Sequence, residues 1–101
     1  MSPLSKTYRI EDGVRRAKAA QLAGHTFIWA VFIGRGEQER EIPVSALLSP
    51  KSHIDIRVPG DLSRWLSIKE GMAEEPDLFP PIVVQASRRG APIAQVQFLT
   101  E

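Results

Sequence analysis

The sequence has 101 residues, with thirteen Lys or Arg against twelve Asp or Glu and a formal net charge of +1. This length allows one domain with a single core, and a composition of 43% hydrophobic and 25% charged residues argues against wholesale disorder. The near balance of charge excludes a whole-molecule attraction to nucleic acid or anionic membranes, so a local patch would have to provide one.

The sequence contains no cysteine, which excludes disulfides, thiolate nucleophiles and cysteine-ligated zinc. The longest apolar run, residues 27–33, is far shorter than the roughly 20 residues of a transmembrane helix. Residues 1–8 lack the apolar core of a secretion signal. We therefore expect a cytoplasmic protein without a membrane partner. We assign residues 1–9 to a flexible tail and residues 10–101 to a single domain.

The first predicted element is a helix over residues 10–23, ended by Gly24. One side of it carries Arg15, Arg16 and Lys18. Such a basic cluster is typical of a solvated helix face. The alternative is that these side chains contact phosphate groups.

Two strands are predicted next. Residues 25–34 are apolar at both odd and even positions, which is typical of a central strand covered on both faces. Residues 40–48 return as a second strand, either at an edge or ending early, because Pro43 has no N–H to donate to a neighbouring strand. The end of this segment, residues 45–48, could equally form a short helical turn.

The second half of the chain repeats this pattern. A helix begins after Asp61, a good N-cap residue, and ends near residues 74–76. Strands follow at residues 82–86 and 92–99, joined by a hairpin turn. In the last strand Ala94, Val96 and Phe98 alternate as a core-facing set. The predicted fold is α+β, in the order α-β-β-α-β-β, with a small mixed sheet of about four strands packed against two helices.

Few residues indicate catalysis. His25 and His53 have no partner at metal-ligand spacing apart from Asp55, and no G-x-S-x-G motif occurs. The acidic residues Glu74, Glu75 and Asp77 end a helix, where they are solvated or belong to a partner surface. We predict no catalytic residue, no cofactor and no metal.

The turn at Arg88 and Arg89 is the second basic candidate. Two adjacent guanidinium groups at a hairpin tip can reach phosphate groups without disturbing the core, although a solvated tip is the simpler interpretation. Trp29 and Trp65 are interpreted as core residues, because stacking on bases would require exposed rings.

Two segments carry a family resemblance. "IPVSALL" at Ile42–Leu48 and "PPIVV" at Pro80–Val84, with the order of elements around them, resemble the ParB/sulfiredoxin superfamily over about sixty residues. Members continue from the last strand into a "G-E-R-R" or "G-C-H-R" segment, whereas this sequence ends at "QFLTE" and has no cysteine for sulfiredoxin chemistry. The resemblance implies a trimmed, non-catalytic version of the fold, of the kind found on plasmids and integrative elements.

Three functions follow as hypotheses. The first is a non-enzymatic binding or regulatory module of a mobile genetic element, in conjugation, partition or fertility control, acting on a protein partner or by self-association. The alternative is a weak, salt-dependent nucleic-acid binder. The sequence candidates for its contacts are Arg15, Arg16, Lys18, Arg88 and Arg89. A third, a hydrolase or nuclease, rests only on scattered acidic residues such as Asp55 and Asp77.

Overall fold

The structure is a computed structural model that describes residues 6–33, 38–50, 55–57 and 62–99, with the backbone alone for residues 55–57 and 99. Its elements in chain order are β1 Tyr8–Asp12, α1 Val14–Leu22, β2 Phe27–Phe32, β3 Gln38–Pro43, β4 Leu47–Ser49, β5 Asp55–Arg57, α2 Leu62–Glu74, β6 Ile82–Ala86, β7 Ala91–Pro92 and β8 Gln97–Leu99. Short 3-10 turns occupy Val44–Ala46, Pro76–Leu78 and Ile93–Gln95. The predicted α+β class, with two helices and a mixed sheet, is confirmed.

The main sheet has six strands in the order β3-β2-β6-β1-β4-β7, where about four were predicted. Strands β2 and β6 pair in parallel, as do β1 and β4, and the other neighbours are antiparallel. A separate parallel pair joins β5 to β8. The predicted order of elements is therefore incomplete, because the additional strands are only two to five residues long and lack an extended sequence pattern.

The first difference from the sequence prediction lies at the N-terminus. Residues 10–12 belong to β1 and not to a helix, and Tyr8 and Arg9, assigned to the tail, belong to the same strand. Gly13 then turns the chain with φ of 107°, and a Cβ there would lie 2.5 Å from Cγ2 of Ile82. Only glycine fits this turn without strain, so α1 cannot begin before Val14.

Helix α1 packs against one face of the sheet, which we call the helix face, and α2 packs against α1. The buried side chains of the helix face include Ile10, Ile28, Ile82 and Val84, which form one core with Ala17, Ala20, Trp65 and Met72 of the helices. The opposite face, which we call the open face, has no helix over it among the described residues. The prediction that β2 is covered on both faces is wrong, because alternate residues of this strand, Phe27 and Trp29, are exposed.

The second difference concerns the C-terminal segment. Residues 92–99 do not form one strand: β7 and β8 lie in different sheets and are separated by a 3-10 turn. Strands β1 and β4 lie between β6 and β7, so the turn at Arg88 and Arg89 is not a hairpin tip. Val96 is buried and Phe98 partly buried as predicted, but Ala94 is exposed.

Helix α2 has the predicted end, while its predicted N-cap, Asp61, lies outside the described residues. The strand predicted over residues 40–48 is divided: β3 ends at Pro43, and a 3-10 turn at Val44–Ala46 leads into β4. Helix α2 ends at Glu74, and Trp65 and Met72 are its buried residues. Strand β3 is an edge of the main sheet, with Pro43 as its last residue. Within the described ranges no helix combines the length and the apolar character that a transmembrane span requires.

Candidate functional site

Basic residues of α1 form hydrogen bonds with other parts of the chain. Arg16 donates hydrogen bonds from Nη1 to the carbonyl oxygens of Pro80 and Pro81, at 2.5 and 3.3 Å, and from Nη2 to Oδ2 of Asp12 at 3.2 Å. These bonds join the start of α1 to the segment that leads into β6. Arg15 is partly buried and also interacts within the molecule.

Lys18 is the most buried of the candidate cations, with 8% of its surface exposed. Its Nζ donates to Oε1 of Gln21 at 2.9 Å and to the carbonyl oxygens of Ile93 and Ala94 at 3.4 and 3.3 Å. Burial lowers the pKa of this ammonium group from its usual value of 10.5, because removal from water disfavours the charged form. The Lys18 ammonium group is therefore buried within the fold and is not exposed on the surface of α1.

Arg88 belongs to a different cluster, which the structure assembles from three parts of the chain. A groove of about 450 Å³, which we call the basic groove, lies where β2, β6 and the start of β1 meet. Its lining residues are Lys6, Thr7, Tyr8, Phe32, Arg40, Ala86, Ser87 and Arg88. Three of these are cations, and no Asp or Glu is among the described residues that line it. Arg89 is exposed on the same turn but lies outside this lining.

Several contacts fix the positions of the residues that line the groove. The Thr7 hydroxyl donates to the carbonyl of Ser87, and the Ser87 hydroxyl accepts from the N–H of Arg89 at 3.1 Å. The Arg40 guanidinium lies over the Phe32 ring, 4.4 Å from its centroid, and Phe32 meets Tyr8 edge to face. Sequence reasoning missed Arg40. Its alternation with the buried Ile42 could have indicated that it points toward the helix face.

The open face carries a contiguous set of apolar side chains, which we call the apolar row: Phe27, Trp29, Val31, Ile33 and Val83. Val31 pairs directly with Val83 of β6, and Trp29 pairs with Glu41 of β3. The assignment of Trp29 to the core is wrong, because 45% of its surface is exposed. Trp65 is a core residue as predicted, and its ring lies 4.5 Å from that of Phe98.

Of the residues weighed for catalysis, the described part of the chain brings only His25 and Asp77 to one cleft. His25 lies in a cleft of about 220 Å³, and its Nε2 is 2.6 Å from the carbonyl oxygen of Met72. Asp77 lines the same cleft, while Glu74 and Glu75 are exposed at the end of α2. His53 and the side chain of Asp55 lie outside the described residues. Within the described ranges no group of three or more His, Asp or Glu side chains could hold a metal ion.

Comparisons with known proteins leave the family open. No protein-family model matches the sequence, and no curated protein and no solved structure is significantly similar to it. The resemblance to the ParB/sulfiredoxin superfamily therefore stays a prediction. The basic groove and the apolar row are the two surfaces from which a function can be argued.

Proposed function

We propose that this chain is a non-catalytic binding module that acts through protein contacts, with the open face of one copy packing against the open face of a second. The observation that carries the proposal is the exposure of the apolar row. Trp29 and Phe27 are about half exposed on one strand, and Ile33 continues their alternation. Contiguous exposed apolar surface of this kind is typical of interaction sites, whereas single exposed apolar residues are common everywhere.

The edge of β3 offers a second way to add a copy, but its chemistry is less suitable. The charged residues Glu39, Arg40 and Glu41 follow one another along this edge with their side chains on alternate faces, and Pro43 has no N–H to donate. Charged residues and proline on an edge strand discourage the addition of another strand. The face of the sheet is therefore the better docking surface.

Charged side chains flank the apolar row on both sides. Glu39 and Glu41 of β3 lie on one side, and Arg9 and Glu11 of β1, which pair at 3.0 Å, lie on the other, beyond β6. A two-fold axis that runs parallel to the strands, between β2 and β6, brings the apolar rows of two copies together, so that the row packs on its own copy. The charged residues then form a polar rim around the apolar contact.

The resemblance adds a biological setting to this proposal. A non-catalytic relative of the ParB/sulfiredoxin fold is expected to regulate conjugation, partition or fertility inhibition on a mobile genetic element. The genes that neighbour the coding sequence test that setting independently of the interface.

The interface is tested by measuring molar mass by light scattering during size-exclusion chromatography, from micromolar to submillimolar protein. The wild type is expected to shift toward the dimer mass as concentration rises. The double variant Trp29→Ser/Ile33→Ser is expected to remain monomeric. Because apolar contact dominates the interface, raising the salt to about 1 M should leave the wild-type dimer in place.

A matched control comes from the helices. Leu22 and Leu66 are 52% and 45% exposed, the same as Ile33 and Trp29, but they lie on α1 and α2. Leu22→Ser/Leu66→Ser is therefore expected to dimerise like the wild type. A wild type that is monomeric at every concentration contradicts the proposal, as does equal loss of dimer in both double variants.

A further inference from the structure

We propose that the basic groove binds a single phosphodiester strand of nucleic acid through Lys6, Arg40 and Arg88. This site is independent of the open face, because Arg40 points to the helix face, as its pairing with Ala30 shows, while its neighbours Glu39 and Glu41 point away. It also differs from the sequence-based hypothesis. Of the five cations named there, the groove includes only Arg88.

The basic groove concentrates positive charge. Its three cations converge from the N-terminal segment, β3 and the turn after β6. Neither Arg40 nor Arg88 forms an ion pair with an acidic group in the described part of the chain, in contrast to Arg9 and Arg16, which pair with Glu11 and Asp12. Cations on a concave surface that no carboxylate neutralises concentrate the positive potential within it.

Arg40 is oriented by the ring beneath it. A guanidinium that lies against an aromatic ring is held by its face and keeps its N–H groups directed outward at its edge. Those N–H groups match the paired oxygens of a phosphate group. The Phe32 ring therefore orients Arg40 before any ligand arrives.

The other side chains of the groove determine the class of ligand. Tyr8 is buried and Phe32 is partly buried beneath Arg40, so neither ring offers a free face on which a base could stack. The Thr7 hydroxyl already donates to the carbonyl of Ser87, and the Ser87 hydroxyl accepts from the N–H of Arg89 within its own turn. Recognition then depends on the backbone phosphates and is expected to be insensitive to base sequence. A concave groove with cations on both sides suits one strand better than a duplex.

The test is fluorescence anisotropy with a labelled oligothymidylate, titrated with the full-length wild-type protein over a series of salt concentrations. Three phosphate contacts predict that log Kobs falls against log salt with a slope of about −2. Arg40→Gln and Arg88→Gln are each expected to weaken binding about tenfold at low salt. Each should also reduce the slope by about 0.7.

Arg89→Gln is the matched control, because Arg89 is adjacent to Arg88 and exposed but outside the groove. It is expected to bind nearly as the wild type does, and the circular dichroism of every variant should match that of the wild type. Trp29→Ser/Ile33→Ser is expected to retain binding, which separates this site from the proposed dimer interface.

Four outcomes would overturn the proposal. Binding could be absent at low salt, or Arg40→Gln and Arg89→Gln could weaken it equally. A duplex of the same length could bind more tightly than the single strand. A mononucleotide could displace the oligonucleotide at an equal concentration of phosphate, which would indicate a nucleotide pocket in place of a strand-binding groove.

Discussion

At the scale of single residues, Lys18 couples the fold to pH. Its ammonium group is buried against carbonyl oxygens near the turn at Ile93–Gln95, and burial lowers its pKa below 10.5. The unfolded chain therefore holds this proton more tightly than the folded chain does. Because the unfolded state binds more protons between the folded-state pKa and 10.5, the free energy of unfolding rises with pH across that window.

This coupling predicts a difference between variants. The stability of the wild type relative to Lys18→Met is expected to increase as pH rises toward 10.5, since methionine has no proton to release. Urea unfolding followed by tryptophan fluorescence at several alkaline pH values measures it. Lys69→Met, at an exposed lysine of α2, serves as the control for removing one positive charge. If the free energies of unfolding of Lys18→Met and the wild type change in parallel with pH, the lowered pKa of Lys18 is refuted.

At the scale of elements, α2 contains a glycine that helix propensity alone would replace. A Cβ at Gly71 would lie 2.6 Å from two carbons of the Phe79 ring, which packs against the helix from the segment before β6. Gly71→Ala gains about 1 kcal/mol in helix propensity, but overpacking against the ring costs about 1–3 kcal/mol. We expect a net loss of stability in urea unfolding.

The ring itself provides the control for this prediction. In a Phe79→Ala background the obstruction is gone, so the same Gly71→Ala change should stabilise the protein by its propensity alone. A double-mutant cycle of the two positions measures the coupling. Additive effects would show that Phe79 does not restrain position 71.

Local pattern predicts some elements of this fold well and others poorly. Helix α2 and strand β6 have apolar spacing that matches their periods, and both were predicted. Strand β1 was missed because Ile10 and Val14 are also compatible with one helix face. The helix cannot include residues 10–12 because Gly13, just before its first residue, lies close to Ile82, almost seventy residues away in sequence. Such a contact leaves no trace in a local window.

The same limit applies to the candidate site. Arg88 could be selected from sequence because it lies in a basic turn, but the other groove cations come from segments that only the sheet brings together. The three cations of α1 were selected by their spacing, and Arg16 and Lys18 are instead used to join segments distant in sequence. Sequence spacing identifies cations on one helix but does not show which of them the tertiary structure uses.

At the scale of the whole molecule, the N-terminal strand lies inside the sheet. Strand β1 pairs with β6 on one side and with β4 on the other, so both halves of the sheet meet at residues 8–12. Tyr8 and Ile10 from this strand are buried in the core. The first strand of the chain thus connects strands that follow it by about forty and seventy residues.

This topology predicts that a chain lacking residues 1–12 will not unfold cooperatively. Without β1, strand β6 would no longer be joined to β4, and the core would lose the side chains of Tyr8 and Ile10. Ile10→Ala, which keeps the strand and its backbone pairing, should retain the fold and lose about 2–5 kcal/mol. Leu22→Ala, at an exposed site, should change stability by no more than about 0.5 kcal/mol. Urea unfolding and amide dispersion in NMR spectra check all three, and a truncated chain with the wild-type midpoint would show that β1 is dispensable to the sheet.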